Sequence, residues 1–185
     1  MRPTLALFAL TLAAASASLP AIASSSQPML RFSGAIGADT LTAAGGVDVL
    51  NVVRGINPGG RTWVLRQFKA RVSADGTISA RGAGLLLASG ETIATRGGVT
   101  NVAVTLFCGA ANATAARFNS AAVPLDTFGN FNIRGPLLED GGTNAAVLPT
   151  TCDNPMLLIR SANATTGVPG AWFAAGILSG DSDDD

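Results

Sequence analysis

Between Trp63 and Cys108 the chain carries three apolar runs divided by turn residues, and no other stretch constrains the fold as much. The first run, T-W-V-L-R-Q-F-K-A-R-V, and the third, V-T-N-V-A-V-T-L-F-C, alternate with a period of two. That period predicts strands, with Val64, Phe68, Ala70 and Val72 on one face of the first and Val102, Val104, Leu106 and Cys108 on one face of the third. Between the first run and the second, T-I-S-A-R-G-A-G-L-L-L-A, stands Ser73-Ala74-Asp75-Gly76. Asp-Gly flanked by alternating apolar residues is a hairpin signal. The third strand ends on one of the two cysteines of the chain.

The rest of the chain repeats the pattern more weakly. Met29 to Phe32 is a candidate short strand, and Val47 to Arg54 alternates as a strand until Gly55-Ile56-Asn57-Pro58-Gly59-Gly60 ends it. Ala115 to Val123, Phe131 to Leu137, Pro155 to Ser161 and Trp172 to Leu178 follow, divided by Gly- and Pro-rich turns. No segment after the first residues has a helical period. Seven or eight short strands at intervals of roughly 8 to 15 residues predict an all-β fold, an antiparallel β-sandwich of the immunoglobulin-like kind. The expected boundaries are a signal peptide over 1–23, a flexible lead over 24–46, the sandwich over 47–178 and an acidic disordered tail over 179–185.

The signal peptide is expected from three features. Arg2 is a short positive region, Leu5 to Ala15 is apolar, and Ala21-Ile22-Ala23 offers a small-residue cleavage site before Ser24. About 11 apolar residues are too few to span a bilayer, and no later stretch is long enough, so a secreted protein (periplasmic or extracellular) with no membrane span is expected. In an oxidising compartment an even pair of cysteines reads as a disulfide, here Cys108 to Cys152 across two sheets, rather than as a metal site or two free buried thiols.

Charge excludes little. Lys+Arg and Asp+Glu each number 12, but Asp181, Asp183, Asp184 and Asp185 crowd the last five residues. Without Arg2 and those four, eleven basic residues face eight acidic ones. That balance does not imply a nucleic-acid partner.

The chain has no histidine and no tyrosine. The commonest general base, the Ser-His-Asp and Cys-His arrangements and His-ligated metals are therefore absent. Lys69, the one lysine, alternates outward on its strand, which suits a solvated side chain better than a Ser-Lys dyad. Glu91, Glu139 and Asp140 stand in Gly-rich loops without the paired spacing that a glycosidase needs. The terminal aspartates lack the spacing of a calcium loop. Trp63 and Trp172 could stack on a sugar if exposed, but their apolar strands favour the core. Asn112-Ala113-Thr114 and Asn163-Ala164-Thr165 match the N-glycosylation pattern.

No cofactor is implied. The expected function is a non-enzymatic exported β-sandwich acting as a surface or interaction module on a protein or glycan partner, with loops 90–98 and 124–130 as recognition surfaces. The alternatives are a carbohydrate-binding module and a hydrolase working through Glu91 or Glu139.

The order R-G-x-x-P-G-G-x-x-W-V (Arg54 to Val64), G-x-G-L (Gly82 to Leu85), Cys108, Cys152 and a closing motif that begins W-F-A resembles a group of small secreted bacterial proteins.

 The last of these motifs reads W-F-A-A-G, Trp172 to Gly176. The resemblance covers most of the chain from Arg54 onward and implies export, a signal peptide and a β-sandwich. It carries over no catalytic residues.

Overall fold

A computed structural model describes residues 28–40, 51–111 and 114–180. The expected signal peptide, the cleavage site before Ser24, Asn112 and the acidic run Asp181 to Asp185 lie outside the described residues.

The strands of the described chain all pair antiparallel: β1 (Pro28–Gly37), β2 (Trp63–Ser73), β3 (Thr77–Leu87), β4 (Asn101–Cys108), β5 (Ala116–Asn119), β6 (Val123–Pro124), β7 (Phe131–Pro136), β8 (Leu138–Glu139), β9 (Met156–Ala162) and β10 (Pro169–Ser179). These ten strands form one sheet in the order β7-β3-β2-β1-β10-β9-β4-β5-β8, with β6 paired to β4. The two ends of that order, β7 and β8, are joined by Leu137 alone, so the sheet curls back on itself into a nearly closed barrel.

This corrects the expected sandwich of seven or eight strands. One continuous hydrogen-bonded path leaves no gap at which to divide two sheets. Strand lengths and turns read from sequence do not distinguish a curled sheet from two stacked ones, because both bury alternate residues. The sheet also takes in residues 28–37, which an expected domain starting at residue 47 leaves in a flexible lead. β1 lies between β2 and β10, at the centre of the strand order. The expected strand over Val47 to Arg54 is absent from its described part. Arg54 and Gly55 hold positive φ there, and Val53 and Ile56 bridge across a tight turn.

The Asp-Gly turn forms as expected. Gly76 N donates to Ser73 O at 3.0 Å, Thr77 N donates to the Asp75 carboxylate at 2.9 Å, and Gly76 takes φ +80°. From this turn the register of β2 and β3 follows without a slip, Val72 facing Ile78 and Trp63 facing Leu87. The alternation of burial does change phase. Phe68, Ala70 and Val72 point inward as expected, but beyond Arg66 and Gln67 the inward residues are Trp63 and Leu65. Val64 is thus on the outer side, 41% exposed. The partner strand changes phase at the same level, where Gly84 takes φ +74°, so both strands bend together and the pairing survives.

Inside the barrel, Val102, Val104, Leu106 and Cys108 join Phe68, Leu85, Ile133 and Phe173 in the main core. A second, smaller core lies on the outer side of β4, β9 and β10. There Phe107, Leu158 and Trp172 are covered by Ala38, Ile56 and Ala115. Residues 51–60 are fastened over it by Trp172 N to Asn57 O (3.0 Å), Gly59 N to Trp172 O (3.0 Å) and Trp172 Nε1 to Asn51 O (3.1 Å). Since β4 is covered on both sides, every residue from Val102 to Cys108 is buried.

Cys108 and Cys152 are bonded, with Cα atoms 4.8 Å apart. The bond is not the expected link between two sheets. It ties the segment entering β9 to the end of β4, the strand beside it. Among the described residues no helix is long and apolar enough to cross a membrane.

Candidate anion-binding face

With Phe68, Ala70 and Val72 pointing into the barrel, Lys69 and Arg71 of β2 must point out. The same alternation turns out Ser79 and Arg81 of β3 and Asn132 and Arg134 of β7. Strand register then arranges them in two rows across the sheet. Ser33, Lys69, Arg81 and Asn132 form one, and Arg31, Arg71, Ser79 and Arg134 the next. Lys69 directly opposes Arg81, and Arg31 directly opposes Arg71. Arg66 adds a further cation beyond the first row.

Six of the twelve basic residues of the chain therefore share one outer face. Like charges directly opposite on an antiparallel pair have Cβ atoms about 5 Å apart and destabilise it. None of the six forms an ion pair or a side-chain hydrogen bond among the described residues.

The face is not flat. A trough of about 750 Å³ runs along it, lined by Arg66, Gln67, Lys69, Arg81 and Asn132 and deepened by Gly34 and Ala83. Gly82 is required by what lies beneath it, on the inner side of the sheet. A side chain on Gly82 would meet the Phe131 ring at about 2.2 Å, and Phe68 and Phe131 flank this glycine with ring centroids 6.4 Å apart. The bulge in β1 between Phe32 and Ala35, with Gly34 at φ +80°, opens the other side. The trough thus has a low floor, cationic rims and two exposed carboxamides.

On the opposite half of the sheet, cations are treated differently. Arg160, 7% exposed, donates from Nε to Gly170 O (2.8 Å), from Nη1 to Thr105 Oγ1 (3.0 Å) and from Nη2 to Pro169 O (3.0 Å). Thr105 Oγ1 donates onward to Asn119 Oδ1 (2.7 Å), and Asn119 Nδ2 to Asp140 Oδ1 (2.9 Å). Burial pulls the Arg160 pKa down to about 10, the Asp140 charge working against that shift and Arg117 with it. Arg54, equally buried, donates to Gly109 O, Ala110 O and Asn154 O and so clamps the loop over the second core to the segments at the disulfide.

The residues expected to carry chemistry are dispersed. Glu91 is exposed in the loop between β3 and β4, whereas Glu139 and Asp140 sit at the end of β8. Asp140 is held by Asn119 and lies 4.0 Å from Arg117 Nη1. Lys69 is exposed on its strand, as expected, with Ser33 of β1 opposite it on one side and Arg81 of β3 on the other. Trp63 and Trp172 are 4% and 5% exposed, so neither offers a stacking surface. Trp63 packs on Phe173 with ring centroids 4.1 Å apart. Asn163 is exposed in the β9–β10 turn, its side-chain oxygen accepting from Thr165 N and Thr166 N at 2.9 and 2.8 Å. Among the described residues no group of three or more His, Cys, Asp or Glu side chains is placed to hold a metal.

The loops expected to carry recognition gather at the end of β3. Leu87 N donates to Thr95 O (2.8 Å), Leu85 N to Gly129 O (2.9 Å) and Leu125 N to Thr100 O (2.8 Å). Asp126 organises one of them, accepting from Phe128 N and Asn130 N at 2.8 Å each. The backbone N–H of Asn130 does most to hold its carboxyl below the usual carboxylate range, against an opposing desolvation, with the Asn130 side chain, the Phe128 N–H and the Arg96 charge adding to it.

Sequence reasoning missed the cationic face. The signal was present in the outward positions of β2 together with the Asp-Gly turn, since that turn sets Lys69 against Arg81. No known protein family, curated protein or solved structure matches this chain.

Proposed function

We propose that the protein is an exported, non-enzymatic binding module that takes an anionic ligand on the outer face of β1, β2, β3 and β7. The observation that carries this reading is the pair of like-charge oppositions, Lys69 to Arg81 and Arg31 to Arg71, with no carboxylate among the described residues drawn in to relieve them. A fold gains nothing from such an arrangement, whereas an anionic partner would be bound by it. Export is supported by the apolar N-terminal run with its Ala-x-Ala site and by a disulfide, which suits an oxidising compartment. The resemblance to small secreted bacterial proteins, carried by the motifs from Arg54 onward, agrees with that reading. The non-enzymatic part rests on missing parts: no histidine in the chain, and Glu91 on a different loop from Glu139 and Asp140.

The test is titration of the folded, disulfide-intact protein with dextran sulfate, polygalacturonate and polyphosphate at low and high salt. Binding that weakens steeply with salt and is lost in Lys69→Glu and Arg81→Glu, but not in Arg61→Glu, just before β2 and outside the trough, is expected. No binding to any of the three, or equal loss in Arg61→Glu, overturns the reading.

A further inference from the structure

We infer that the ligand of this face is a linear acidic polysaccharide, its sugar rings seated in the trough and its carboxylates on the cationic rims. The inference rests on the anion-binding reading above and narrows it to one class of partner.

Three features of the trough carry it. The first is the mixture of polar groups. Gln67 faces Ala83 across the strands and Asn132 faces Arg81, so exposed carboxamides stand beside the cations. A carboxamide offers a donor and an acceptor together and suits sugar hydroxyls, which polyphosphate lacks. The second is the floor. Gly34 and Ala83 keep it low between the cationic side chains, which leaves room for the breadth of a pyranose ring. The third is reach. From β1 to β7 the rows cross three strand spacings, about 14 Å, so the occupant is extended rather than a single small ion.

Other polyanions fit less well. A single-stranded nucleic acid gains much of its affinity by stacking bases on exposed aromatic rings, and both rings at the trough are buried. An anionic membrane is a broad surface that would meet the rims and leave the recessed floor unused.

The deciding experiment is calorimetric titration with oligogalacturonate, its methyl ester, polyphosphate, anionic phospholipid vesicles and a single-stranded oligonucleotide. Variants Gln67→Ala and Asn132→Ala are measured beside the parent, both being exposed positions that leave the core intact. The expected result is binding of oligogalacturonate, at least tenfold weaker binding of the uncharged ester, and a fivefold or greater loss for oligogalacturonate alone in the carboxamide variants. If polyphosphate, vesicles or oligonucleotide bind as tightly as oligogalacturonate and the carboxamide variants change nothing, the saccharide inference falls while the anion-binding reading stands. If no polyanion binds, both fall.

Discussion

The two outer faces of this curled sheet handle positive charge in opposite ways. Over β4, β9 and β10 a loop and a second core exclude water, and the cations there, Arg54 and Arg160, spend their donors on backbone carbonyls and a threonine hydroxyl. Over β1, β2, β3 and β7 no second core forms among the described residues, and six cations, Arg31 half-buried and the other five exposed, stand there without a partner among those residues. A buried charge must be satisfied for the fold to survive, so its partners are structural. An exposed charge costs little alone. When like charges are set opposite one another the fold carries a small penalty, and a partner outside the chain can relieve it. On the proposed reading, the arginines of the covered face serve stability and those of the bare face serve recognition.

That division can be broken by experiment. The largest effect is expected at the edge of the covered face. Replacing Cys108 and Cys152 together by serine should cost about 4 kcal/mol, because the bond closes a loop across 44 residues of sequence. Urea unfolding reads this directly, and a loss below about 1 kcal/mol would show the loop to be restrained by other contacts. Next is Arg160→Met, expected to cost about 3 kcal/mol by stranding the Gly170 and Pro169 carbonyls and freeing Thr105 from its donor. Its anion binding should match the parent. A loss of binding at unchanged stability would reverse the roles assigned to the two faces.

The bare face should answer with the opposite sign. Lys69→Gln or Arg81→Gln removes a like-charge opposition and should stabilise the fold by about 0.5 kcal/mol at low salt while weakening anion binding. Raising the salt should erase that gain, since the repulsion is screened. Destabilisation by either substitution would mean that the pair has a counter-ion within the fold. The smallest effect is local. The Asp126 pKa is lowered in the folded state, so its contribution is complete above the unfolded carboxylate value and fades as pH falls through the lowered one. The amide resonances of Phe128 and Asn130 should shift over that acid range, and Asp126→Asn should abolish the pH dependence.

Local rules made much of the chain legible. Alternation located β2, β4 and the start of β7, the Asp-Gly turn located the β2–β3 hairpin, and an even pair of cysteines located the bond. Each of these depends on neighbours in sequence or on a single pairing. β1 was only partly visible, since Pro28–Gly37 contains a bulge and two glycines that interrupt its alternation. Val64 was misplaced because the change of phase at Arg66 and Gln67 is a bend shared with β3, and one strand alone does not announce it.

What the sequence determined by itself was therefore the all-β class, the central hairpin, the single disulfide pairing and the want of a histidine-based site. Only the tertiary structure decided that one sheet curls into a barrel rather than splitting into two, because curvature is the sum of small twists, bulges and shared bends over all the strands. It alone decided which face of β4, β9 and β10 would be covered a second time, since that depends on where residues 51–60 return. And it alone gathered Arg31, Arg66, Lys69, Arg71, Arg81 and Arg134, residues spread over four strands, onto one surface. Charge on a single strand is a property of sequence. A charged face is a property of register, and register is settled only when the strands have paired.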